Sequence, residues 1–187
     1  CEVFGRDASG WAHEASIHVP SAVEHCLGAA VSGEFLDIGA PYPSTSLNQL
    51  DAVFVFQRAG TTWQLASTLT ASPFGLPGRY SGFGSRLRFA DDRLIVGAPT
   101  QTTPDGLIAG AIFEYQRTGA NWTLGAHIMS PEPQQWGNFG NAFAASGSLI
   151  VAGVPVYGGP SIYNNRFEGA MWVFDADAVI MNDGFEP

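Results

Sequence analysis

Two short markers, Phe-Gly and Gly-Ala-Pro, recur at fixed spacing along the chain. This repeat constrains the fold more than any other feature. Phe83-Gly84 returns 56 residues later as Phe139-Gly140. Gly97-Ala98-Pro99 begins 14 residues after Phe83, and Gly153-Val154-Pro155 begins 14 residues after Phe139. Gly39-Ala40-Pro41 is an earlier copy. Counting 14 back from Gly39 reaches His25-Cys26, so this copy has lost its Phe-Gly pair or uses Leu27-Gly28 with a shortened turn. A third marker is a short apolar run ending in an aromatic residue, with Trp seven residues later: Phe4 and Trp11, Phe56 and Trp63, Tyr115 and Trp122. Six residues after each Trp stands an aliphatic residue, Ile17, Leu69 or Ile128. The aromatics Phe4, Phe56, Tyr115 and Phe174 are spaced 52, 59 and 59.

Each unit reads as four strands. The first follows the Phe-Gly pair (about 84–90), and a tight turn at Ser32-Gly33, Asp91-Asp92 or Ser146-Gly147 leads to a second that ends at Gly-Ala-Pro. After a variable loop the third is 52–56, 111–115 or 170–174, and the fourth carries Trp63 or Trp122. Runs of β-branched and aromatic residues between Gly, Pro, Asn and Asp are strand signals. The 23 Gly and 12 Pro among 187 residues are largely this punctuation. The only stretch with helical promise, 179–182, is short.

Composition excludes several classes of function. All eight basic residues are arginine, so no P-loop, Schiff-base or kinase-type lysine exists. A net charge of −9 argues against nucleic-acid and anionic-membrane partners. The longest uncharged stretch, 133–165, holds Pro133, Pro155 and Pro160 and six Gly, so no membrane span is expected. Cys1 and Cys26 can pair in an oxidising compartment or remain two small residues; a lipid-modified Cys1 is a weaker option.

Phe83-Gly84 with Gly97-Ala98-Pro99, the weaker copy at 139–155, the strands 110–115 and 169–174, and Gly119-x-x-Trp122 together resemble the FG-GAP repeat of integrin-type β-propellers. The resemblance covers about residues 2–175. It implies an all-β fold of four-stranded antiparallel blades in three repeats of about 56–59 residues, at about 1–70, 71–128 and 129–178, with a tail at 179–187. Calcium loops common in that family are missing: Asp91-Asp92 is a lone acidic pair in a turn. No metal or other cofactor is therefore expected. The ending Gly184-Phe185-Glu186 is similar to those of secreted bacterial repeat proteins, which implies a secreted or cell-surface location.

Propellers close with about four to eight blades. Three repeats require either upstream blades of a longer parent or association with further copies, head to tail, into a ring or filament. No catalytic constellation stands out. His13 and His18 are spaced i, i+5 in a predicted strand, which puts them on opposite faces rather than on one metal. His25 beside Cys26 has no third group to orient it, and Asn121-Trp122-Thr123 is a glycosylation sequon inside a repeat strand. The chain thus reads as non-catalytic and adhesive or structural. Phe83, Gly84, Gly97, Pro99, Phe139, Gly140, Gly153, Pro155, Trp63 and Trp122 are read as the structural motif. Tyr42, Tyr80, Trp136, Tyr157 and Tyr163, expected in loops, are the candidates for gripping a protein or glycan. The alternatives are a carbohydrate-binding propeller using those aromatics, and the non-catalytic part of a larger secreted enzyme.

Overall fold

The computed structural model describes residues 1–20, 26–40, 51–71, 74, 80–157 and 168–175. Tyr42, Tyr163, His25, the stretch 179–182 and the tail lie outside these residues. The described chain is all-β, with thirteen strands in four antiparallel sheets.

A hairpin of β1 (Glu2–Asp7) and β2 (Gly10–Ser16) forms the first sheet. The second is a meander of β3 (Gly28–Ser32), β4 (Phe35–Ala40), β5 (Ala52–Ala59) and β6 (Thr62–Thr70). The third repeats it with β7 (Arg86–Ala90), β8 (Arg93–Ala98), β9 (Ala111–Thr118) and β10 (Asn121–Met129). The fourth has three strands, β11 (Ala142–Ser146), β12 (Leu149–Tyr157) and β13 (Glu168–Asp175). In repeat order β1 and β2 match β5 and β6, so the first sheet has only a third and a fourth strand. The last sheet has a first, second and third.

The turn between first and second strands is the same each time. Gly33, Asp91 and Gly147 occupy its left-handed position at φ 56, 54 and 54°. Gly adopts this without cost, and Asp is among the few side chains that tolerate it. A ladder irregularity also recurs, at Val3/Phe4, at Val55/Phe56 and beside Tyr115. It sits one step before each repeat aromatic and turns the next residues onto a common face.

Two sequence expectations are corrected. Leu27 does not replace the missing Phe: it is 51% exposed, whereas Phe83 and Phe139 are fully buried. Strand β12 does not stop at Pro155 but runs on to Tyr157. The ladder is irregular between Val154 and Tyr157, which leaves proline, with no N–H, in an unpaired position.

The sheets pack in chain order through three apolar layers. Ile17 and Val19 meet Ile38, Phe54 and Phe56 of the second sheet. Val53, Val55 and Leu69 meet Leu94, Val96, Phe113 and Tyr115 of the third, around Phe83. Ile95 and Ile112 meet Ile150, Ala152 and Phe174 of the fourth, around Phe139. Strand alternation thus gives every sheet two faces, one toward the preceding sheet and one toward the following sheet. The first strands β3, β7 and β11 lie side by side. Among the described residues no helix is long and apolar enough to cross a membrane.

Candidate functional site: the inter-sheet locks and the two open faces

The repeat glycines are where one sheet meets the next. A Cβ at Gly39 would come within 1.8 Å of the Gly84 carbonyl oxygen, and one at Gly97 within 2.2 Å of the Gly140 oxygen. The Phe-Gly turn of each repeat therefore presses on the Gly-Ala-Pro strand of the repeat before it, at a distance only glycine permits. Phe83 and Phe139 enter the adjoining layers as the apolar plugs. The first turn is also held by Asp51, whose Oδ2 accepts hydrogen bonds from the Ser81 N–H (2.9 Å), the Ser81 hydroxyl (2.8 Å) and the Phe83 N–H (3.3 Å). Burial raises the Asp51 pKa, and these bonds oppose the rise. In the next repeat Gly110 stands at the Asp51 position; a Cβ there would lie 2.2 Å from the Phe139 oxygen, and the Phe139 N–H donates to the Ala109 oxygen (2.9 Å).

In the fourth sheet the same two positions are unfilled. Gly153 corresponds to Gly97 and Gly169 to Gly110, and a Cβ at either would meet nothing nearer than 3.7 Å. The face they share is apolar and uncovered. Met171 is 70% exposed, Val173 61% and Leu149 46%, and Ala142 and Ala144 beside them are exposed too. In the third sheet the counterparts of Val151 and Met171, Ile95 and Ile112, are fully buried under the fourth, and those of Leu149 and Val173, Arg93 and Glu114, form an ion pair at 2.9 Å.

A second device was missed in the sequence although its signal was present. An arginine follows three of the four repeat aromatics at the second position: Arg6 after Phe4, Arg58 after Phe56, Arg117 after Tyr115. Each pairs across the hairpin with the repeat Trp: Arg6 with Trp11, Arg58 with Trp63, Arg117 with Trp122. These pairs reach back to the preceding sheet. Arg58 ion-pairs with Glu14 (2.8 Å), and the Trp63 indole N–H donates to the same carboxylate (3.2 Å). Arg117 lies over the Phe35 ring at 4.8 Å, and Trp122 meets that ring edge-on at 6.0 Å. Arg117 also ion-pairs with Asp92, one of the two acidic residues of the turn between β7 and β8. Arg6 lies 5.9 Å over the Trp11 ring, but this pair has no sheet to reach: Trp11 is 71% exposed and Phe4 56%. His13 stacks edge-on against Phe4 and bonds the Glu2 carboxylate at 2.6 Å.

Asp37 and the part-buried His127 lie in the middle layer. Asp37 is fully buried, its two oxygens have no hydrogen-bond partner, and desolvation pushes its pKa up to about 8. It stands where later repeats carry Ile95 and Val151. His127 stacks between Phe74 (4.1 Å) and Phe113 (4.7 Å), and burial pulls its pKa down to about 4. A disulfide joins Cys1 to Cys26, tying the start of the first sheet to the entry of the second.

Of the aromatic candidates, Tyr80, Trp136 and Tyr157 are among the described residues. Tyr80 and Trp136 stand at the same repeat position on successive Phe-Gly turns, 61% and 55% exposed. Trp136 and Asn138 both hold left-handed backbone, at φ 65 and 55°, and the Asn138 amide donates to the Trp136 oxygen. Tyr157 belongs to β12 rather than to a loop. Geometry thus defines an all-β protein of serially packed antiparallel sheets, with one open face at each end. No known family's model matches the chain, and no curated protein matches it either.

Proposed function

We propose that the chain is a non-catalytic structural or adhesive module of the FG-GAP type, whose sheets are successive blades of a β-propeller and which acts outside the cell. One observation carries this reading. The Phe-Gly turn of a repeat locks twice, in the same geometry, onto the glycines of the repeat before it, Gly84 on Gly39 and Gly140 on Gly97. The first strands β3, β7 and β11 lie side by side, as the inner strands of successive propeller blades would. The residue types that recur at these locks, Phe and Gly, serve packing rather than reaction chemistry. The disulfide accords with an oxidising, extracellular setting.

Small-angle scattering of the 187-residue chain tests this. A curved wedge supports blades; a straight slab of parallel sheets refutes them. The exposed Trp136, held in a strained conformation, favours a second reading as a glycan-binding module. A glycan array separates the two. Saturable binding lost in Trp136→Ala would transfer the function to the second reading, and its absence would retain the first.

A further inference from the structure

We propose that copies of this chain dock head to tail, the outward face of the β1–β2 sheet in one copy packing on the outward face of the β11–β13 sheet in the next. This rests on the module reading above and names the surfaces it would use.

Each of the two faces is half of a contact the chain already makes within itself. The head face carries Phe4, Arg6 and Trp11. Their counterparts Phe56, Arg58 and Trp63 pack on the first sheet, and Tyr115, Arg117 and Trp122 pack on the second. The tail face carries Leu149, Val151, Met171 and Val173. Counterparts of these residues, Phe35, Ile95 and Ile112, are covered by the following sheet. The two exposed sets are therefore complementary by the chain's own precedent, and each is larger in apolar side chains than an isolated exposed residue would be.

Register then predicts the contact. Leu149 occupies the position of Phe35, the ring that takes Trp122 and Arg117, so Trp11 and Arg6 of the incoming copy meet Leu149. A two-stranded head covers β12 and β13, and the Gly153 end of the face extends beyond it. Because head and tail are different surfaces, the contact is heterologous and continues into a ring or a filament.

Sedimentation equilibrium of the wild-type chain and of two variants tests this. Trp11→Glu spoils the head and Val173→Glu the tail; Phe4→Glu and Met171→Glu are the second choices if either fails to give a wild-type all-β circular dichroism spectrum. Wild type should associate beyond the monomer with rising concentration. Each variant alone should associate at least about tenfold more weakly, since a charge is buried in an apolar contact. An equimolar mixture of the two should form a heterodimer and nothing larger, through the one intact head and the one intact tail. A wild type that stays monomeric overturns the proposal, as does association that survives in either variant, or a mixture that stays monomeric. A monomeric wild type whose scattering is still a curved wedge would sink the docking alone; a slab would sink the module reading.

Discussion

Asp37 is a carboxyl where the repeat calls for an aliphatic residue, and removing it should stabilise the protein. In the folded chain its pKa stands at about 8, raised by desolvation, against 3.8 when exposed. The unfolded state therefore releases the proton first as pH rises. The Asp37 contribution to folded stability is most favourable below pH 3.8, falls as pH climbs, and stops falling above about 8. At pH 7 the gap of roughly three pH units corresponds to at most about 4 kcal/mol, and at pH 4.5 to about 1 kcal/mol. Asp37→Val, which installs the side chain that Val151 supplies at the same repeat position, should recover a large part of this. Urea unfolding followed by tryptophan fluorescence gives the difference from wild type at each pH. The expected result is a stabilisation of about 2–4 kcal/mol at pH 7 that shrinks by roughly 3 kcal/mol at pH 4.5. Asp37→Asn should flatten the pH dependence in the same way while leaving a polar group unpaired. A destabilised Asp37→Val, or a difference that does not move with pH, would refute the reasoning that this carboxyl is buried without a partner.

Two further outcomes follow from the same layers. His127, with a folded pKa of about 4 against 6.5 unfolded, should cost stability as pH falls from 6.5 toward 4, by up to about 3 kcal/mol, and His127→Phe should remove that acid sensitivity in the same urea assay. Reducing the Cys1–Cys26 bond, which closes a loop of 25 residues, should lower stability by about 3 kcal/mol, read as a drop in Tm with and without reductant.

The repeat was legible because sheet packing imposes it at every level. The Phe-Gly and Gly-Ala-Pro spacing located the strands of the second and third sheets, since the residues that begin and end them also make the locks. It failed at Leu27 and Pro155, where the first copy has no plug and the third passes its proline at an irregularity. The Arg at the second position after Phe4, Phe56 and Tyr115 recurs at the same spacing as the Trp. Strand alternation puts it on the face of the aromatic and directly across from the Trp, but only the packing of sheet on sheet shows what the pair touches. Asp37 broke the strand pattern in plain view, but only the three-dimensional layer shows that nothing answers its charge. Of the aromatic candidates, the periodic pair Tyr80 and Trp136 is exposed on successive turns, and periodicity alone could not say whether such turns converge.

The second sheet is locked to the third, and the third to the fourth, by a glycine that accepts the following Phe-Gly turn, and among the described residues the matching position of the fourth sheet is open. Gly97 and Gly153 occupy the same repeat position, and neither has a left-handed backbone, so alanine tests the space and nothing else. The measurement is the unfolding free energy of Gly97→Ala beside Gly153→Ala. A Cβ at 97 would stand 2.2 Å from the Gly140 oxygen, a clash with backbone that cannot swing away, and should cost several times more than one at 153, where the nearest atom is 3.7 Å off and the change should be close to neutral. Equal effects at the two positions, or a tolerated alanine at 97, would contradict the account.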